Sequence, residues 1–209
     1  MKIKIITKTV ICAVALALSC SADVTLPDIF ASHMVLQRDS QVPIWGTASA
    51  GEKVSVKFND QVQSTQADES GKWKVELGPM VAGGPFKIEV TANNAITLDD
   101  VLIGEVWLCS GQSNMEWPVA KSDNKDVEIA NANYPQIRLF DVAKSKNSSP
   151  QTKMVLDSSW IACTPKSIPA FSAVGYFFGR KLNKDLNVPV GLISSNWGGT
   201  RIEPWTPQV

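Results

Sequence analysis

Ser113 stands in the segment Ser110-Gly111-Gln112-Ser113-Asn114-Met115, directly after the apolar run from Val101 to Leu108. A serine held up at such a turn can act as a nucleophile. It needs a base to take its proton and nearby N–H groups to meet the developing oxyanion, which is acyl-transfer chemistry. Gly111 can adopt backbone angles closed to other residues and so permits the sharp turn. The plainer alternative for a bare Gly-x-Ser is a polar strand-to-helix turn with a capping serine. Gln112 and Asn114 flank the hydroxyl, and their amides either orient the turn or donate to the oxyanion.

A second candidate lining of the site is Trp197 to Trp205, WGGTRIEPW. Gly198 and Gly199 after an apolar run let the backbone come close to a ligand, with Trp197 and Thr200 beside them. Arg201 or Glu203 could bond polar groups of a ligand, or simply pair with each other at the surface. The base is harder to find. The single histidine, His33, lies in Ala31-Ser32-His33-Met34-Val35-Leu36, where a packed structural role is expected. One histidine and few cysteines cannot assemble a zinc site of ordinary ligand count, so neither a metal nor a cofactor is expected.

The elements that must position these groups fall into two styles. Residues 24 to about 100 alternate apolar and polar in short runs, Pro43 to Trp45, Lys53 to Phe58, Lys72 to Leu77 and Phe86 to Ala92. Turn residues such as Asn59-Asp60 and Ala82-Gly83-Gly84-Pro85 recur roughly every ten positions, which predicts a β-sandwich module over 23–100. From Val101 the rhythm changes. Val101 to Leu108 lacks strict alternation and predicts a strand buried on both faces in a parallel sheet. Ile137 to Val142 and Val188 to Ile193 read as further strands, Asp123 to Asn133 as helical or irregular, and Lys144 to Lys153 as an exposed loop. Ala173 to Leu186 predicts a helix, with Val174, Phe177, Phe178 and Leu182 as its apolar stripe. Strand, helix, strand in this order is βαβ logic, and ligands bind at the carboxyl ends of such strands.

Gly-Gln-Ser-Asn-Met after the strand resembles the first block of the SGNH hydrolases in their sialate O-acetylesterase-like branch. LPDIFASHMVLQRDSQVPIWGTASAGEKVSV upstream, and FSAVGYFFGRKL and VPVGLISSNWGGTRIEPW downstream, are similar to the same branch. The resemblance covers most of 24–207. It implies a serine esterase removing O-acetyl groups from sialic acid or a similar sugar, with Ser113 as nucleophile and its own amide in the oxyanion hole. Acetylated xylan or another polysaccharide is the alternative substrate, and a non-catalytic remnant the alternative from another class. The implied fold is a sandwich followed by an incomplete flavodoxin-like, three-layer α/β/α domain over 101–209. Alignment with the family pattern implies that the Gly175 amide joins the oxyanion hole, whereas the residue alone reads as a close-packing glycine. In the family the catalytic histidine and its acid lie near the carboxyl end of the hydrolase domain, and nothing after Gly199 matches them. About 110 residues from Val101 is short for a complete doubly wound domain, so 101–209 reads as its first part.

Composition bounds the partners. The 209 residues carry 20 basic and 20 acidic side chains, so no basic field attracts nucleic acid. Hydrophobic content of 44% is that of an ordinary globular chain. Seven tryptophans are more than usual, most of them expected in packing and some available to stack on sugars. Lys2, Lys4 and Lys8 precede the apolar stretch Val10 to Leu18 and the small residues Ser19-Cys20-Ser21-Ala22, which predicts an export leader over 1–22. Lipidation at Cys20 is the runner-up. The stretch is too short to span a bilayer, so an exported, non-transmembrane product is expected. Cys109 and Cys163 are either a disulfide bracing the nucleophile turn or two buried thiols.

Overall fold

The computed structural model describes residues 23–147 and 159–206. The leader reading, with Cys12 and Cys20, lies outside those residues, as does the latter part of the Lys144–Lys153 loop. Ten strands and three short-to-medium helices are built from them. In chain order they are β1 Val35–Gln37, β2 Val42–Thr47, β3 Lys53–Phe58, β4 Gln61–Gln66, β5 Lys72–Leu77, β6 Gly83–Thr91, β7 Ala95–Gly111, α1 Ser113–Glu116, α2 Lys125–Ala130, β8 Tyr134–Asp141, β9 Ile161–Cys163, α3 Ala173–Leu186 and β10 Val190–Asn196. No helix among the described residues is long and apolar enough to cross a membrane.

One mixed sheet of eight strands carries most of the chain. Its order is β4-β3-β6-β7-β10-β8-β9, with β1 also paired to β7. β3, β4 and β6 run antiparallel, whereas β7, β10 and β8 are parallel to one another. β2 and β5 form a separate antiparallel ribbon. The period-two pattern explains the first half directly: Val54, Val56 and Phe58 of β3 and Trp73, Val75 and Leu77 of β5 are all buried, with the residues between them turned outward. These faces close on each other and take in Phe140 and Trp160 from later in the chain. The sequence pattern did not reveal β4, whose residues are polar or exposed throughout. The left-handed Asn59 (φ 53°) turns the chain so that β4 pairs back along β3.

β7 is the spine. It runs seventeen residues from the antiparallel region into the parallel one without interruption. β1 pairs with Leu102 to Gly104, and β10 with Glu105 to Gly111. A strand buried on both faces describes Val101 to Gly104 only, because Trp107 is 43% and Leu108 64% exposed. Past Gly104 the helix α3 covers one face in part, and Leu108 on the opposite face meets no cover among the described residues.

The helix over Ala173–Leu186 forms with the limits its pattern predicts. Ser172 caps it by accepting the Gly175 amide (3.1 Å), and the left-handed Asn187 (φ 52°) ends it. Its buried face is only in part the predicted stripe: Phe177 and Leu182 pack against the core, half-buried. Ala173, Gly175, Tyr176 and Gly179 are inside, while Val174 and Phe178 are exposed. The glycines decide this: a Cβ on Gly175 would lie 2.9 Å from Cys109 Sγ, and one on Gly179 2.7 Å from Leu192 Cδ1. The helix therefore approaches the sheet closely through its glycines, Tyr176 is buried beside them, and Val174 and Phe178 are left exposed. Beneath it Ile137, Leu139, Phe171, Tyr176, Val190 and Leu192 make the second core. At roughly 1.5–3 kcal/mol for each large apolar side chain buried, this core holds α3 in place.

Candidate active site

The carboxyl ends of β7 and β10 lie side by side, Ser110 against Ser195 and Gly111 against Asn196. The two segments that follow them are laced together. Gly111, at φ 136°, turns the chain out of the sheet, and its carbonyl accepts the Trp197 amide at 3.0 Å. Gln112 Nε2 donates to the Thr200 carbonyl. Thr200 Oγ1 donates to the Trp197 carbonyl and accepts from Trp205 Nε1, each at 2.7 Å. Gln112 is therefore an orienting residue: it pins the loop 197–200 to the serine turn. The two candidate segments, 85 residues apart in sequence, are brought to one place.

Ser113 opens α1 with its side chain exposed, and Asn114 beside it is exposed too. Gly198 faces the serine so closely that a Cβ there would stand 3.2 Å from Ser113 Oγ and 2.6 Å from Glu116 Oε2. The Gly198 amide donates to Glu116 Oε2, and the other oxygen of Glu116 pairs with Lys144. The Lys144 hydrogen bond, then the Gly198 amide, hold the Glu116 carboxyl below the usual range. Lys144 and Lys146 also lie over the Trp197 ring, at 5.7 and 5.4 Å. An open cleft of about 660 Å³ runs from this point, lined by Ser113, Glu116, Trp117, Lys121, Ala170 and Gly198 among others. Glu116, Trp117 and Lys121 are site residues that the sequence analysis missed, although the first two directly follow the segment Ser110–Met115.

Other candidates lie elsewhere. The Gly175 amide donates to Ser172 Oγ within the buried face of α3, and a Cβ on this glycine would stand 2.9 Å from Cys109 Sγ, so the residue serves close packing. Cys109 and Cys163 are both buried free thiols, and burial pushes them up to about 11 and about 12, so neither is a nucleophile at neutral pH. Arg201 and Glu203 are exposed. His33 is exposed rather than packed, and its Nδ1 lies 2.7 Å from Asp100 Oδ2. Arg138, nine-tenths buried, reaches the same carboxylate with two bonds (2.7 and 3.1 Å). Asp100 precedes Gly111 by eleven positions of continuous strand, roughly 35 Å at about 3.3 Å per residue. His33 is therefore at the wrong end of β7 to serve Ser113. No group of three or more metal-ligating side chains occurs among the described residues.

Comparison with known proteins agrees with this geometry. A family model described as carbohydrate esterase, sialic acid-specific acetylesterase, matches residues 103–209. The sialate O-acetylesterase of Mus musculus is 36% identical over 194 residues, 84% of this chain and 36% of that protein. The Homo sapiens sialate O-acetylesterase is 36% identical over 201 residues, 85% of this chain and 38% of that protein. The crystal structure of a carbohydrate acetylesterase from Xanthomonas citri superposes with a TM-score of 0.84 at 40% identity, covering 88% of this chain and 43% of that one. The chain thus spans well under half the length of these relatives. With the strand, turn and glycine loop in place and the match running through them, the chain belongs to the sialic acid-specific acetylesterase family of carbohydrate esterases.

Proposed function

We propose that this chain forms the Ser113-bearing part of a serine esterase that removes O-acetyl groups from sialic acid or a closely similar sugar, in an exported protein. The observation that carries the reading is the exposed Ser113 hydroxyl at the floor of an open cleft, with the Gly198 backbone against it. Ser113 Oγ attacks the acetyl carbonyl as its proton passes to a base. The carbonyl oxygen becomes an oxyanion, which the Ser113 amide stabilises. Collapse expels the sugar hydroxyl and leaves acetyl-Ser113; water then attacks this ester and releases acetate.

The base is not His33, which Asp100 holds at the far end of β7. We assign it to a portion of the family's length that lies outside this chain's match. The 209 residues alone are accordingly expected to be inactive, because a protonated serine hydroxyl is a weak nucleophile. The eight-stranded mixed sheet is read as a β-sandwich module continued by the opening strands of a three-layer α/β/α domain.

In the full protein, Ser113→Ala should lower acetate release from an O-acetylated sugar by roughly 10⁴–10⁶, the cost of removing a nucleophile that works as a unit with its base. Acetate release assayed with purified variants checks this. Retention of a tenth of the wild-type rate contradicts the assignment.

A further inference from the structure

Three tryptophans expose large parts of their rings, and they differ in what holds them. Trp45 meets Phe30 edge-on at 4.6 Å, and Trp107 meets Phe178 edge-on at 4.9 Å. Trp117 makes no ring-to-ring contact among the described residues and is the most exposed of the three, at 51%. It is nevertheless fixed. Its carbonyl accepts the Ala173 amide at 2.8 Å, its indole N–H donates to the Lys121 carbonyl at 3.0 Å, and Lys121 Nζ lies 5.5 Å from the ring centre. The polar edge of the indole is thus already bonded, and Lys121 lies over one face of the ring. The exposed ring surface that the ammonium leaves uncovered is four positions along the chain from Ser113 and in the same cleft.

We propose that Trp117 is the platform on which the pyranose ring of the acetylated sugar stacks while its acetyl group reaches Ser113. The proposal rests on the acetylesterase reading and adds a specificity-determining residue to it. A sugar presents C–H groups on the faces of its ring and hydroxyls around its rim, so it needs a flat apolar surface with the rim left free. A ring whose N–H is internally bonded supplies that surface at low entropic cost, since it is already ordered before binding. The neighbouring wall of Pro169 and Ala170 is small and apolar and leaves room beside the indole.

The test uses the full protein and two esters, an O-acetylated pyranose and methyl acetate, which has no ring to stack. In Trp117→Ala the ratio of kcat/KM for the sugar ester to that for methyl acetate should fall roughly threefold to tenfold, carried by KM, and Trp117→Phe should recover most of it. Titration of the deacetylated sugar should show the same order of affinities. A ratio unchanged in Trp117→Ala, or equal losses on both esters, overturns the platform. If circular dichroism shows Trp117→Ala unfolded, Trp117→Met, which fills the space without a flat face, is read by the same ratio. Ser113→Ala assayed in parallel separates the two ideas: activity retained there overturns the esterase reading, whereas Ser113 dependence with an unchanged Trp117 ratio overturns the platform alone.

Discussion

The antiparallel region and the parallel region of this sheet spend their apolar residues differently. In β3 and β5 every large apolar side chain faces inward, and the outward positions are Lys, Ser or Glu. Around the carboxyl end of β7 and along α3, Trp107, Leu108, Val174 and Phe178 are between 40% and 64% exposed. In the first region the patterns of β3 and β5 are satisfied by the residues described, with Phe140 and Trp160 closing the core. The second is written for more cover than they provide, and it is the region that carries Ser113. A strand next to a site is sequestered only when both its faces and both its edges are occupied.

The contact that ties the two regions should be the most sensitive to breakage. Arg138 of β8 bonds Asp100 of β7 and the His33 carbonyl, joining the parallel sheet to the amino-terminal segment. Arg138→Ala removes two charge-assisted hydrogen bonds from a partly exposed carboxylate that His33 still contacts, and is expected to cost about 2–3 kcal/mol in denaturant unfolding. The same cluster sets an acid dependence. The Arg138 hydrogen bonds hold the Asp100 carboxyl below its usual range; burial opposes them and His33 adds to them. A depressed carboxyl contributes stability above the ordinary aspartate titration and loses it as pH falls through the folded value. Arg138→Ala should therefore flatten the acid limb of the stability curve; an unchanged limb would mean that the regions are joined elsewhere.

Next in size are the helix glycines. Gly179→Ala places a methyl 2.7 Å from Leu192 Cδ1 and should cost about 1–3 kcal/mol, with Gly175→Ala against Cys109 in the same range. Thermal unfolding measures both. Stability equal to wild type would show that α3 does not need its close approach. The smallest effect sharpens the contrast in the opposite direction. Leu108→Lys, at a position 64% exposed, should change the stability of the 209-residue chain by less than about 0.5 kcal/mol while lowering its self-association in sedimentation. The matching change Val56→Lys, at a position fully buried in β3, should prevent folding.

Much of this was readable from residue types. Period-two alternation located β3 and β5 with their observed limits, and the span of α3 was marked by its periodicity between Ser172 and Asn187. The serine turn and the Trp197–Thr200 loop were both visible as candidates, but their meeting depends on β10 lying beside β7, a long-range pairing that no local pattern encodes. Three features were not legible, for definite causes. The α3 stripe held for Phe177 and Leu182 but not for Val174 and Phe178, because glycine, which hydrophobicity scales ignore, makes the closest face of the helix. The Ser172 cap on the Gly175 amide is a detail of one hydroxyl that residue types alone do not reveal. Most of the seven tryptophans were expected in packing, yet only Trp73 and Trp160 are buried, because burial depends on what the fold lays over each ring.

The account stands on Ser113 as the group that takes up the acetyl. The direct measurement is to mix the full protein with an O-acetylated sugar, quench in acid within the first turnover, and map the peptides by mass spectrometry. An acetyl group on the hydroxyl of Ser113, absent from Ser113→Ala, is the expected result. Turnover of the sugar ester with the acetyl on another side chain, or with none at Ser113 at any quench time, would contradict the account.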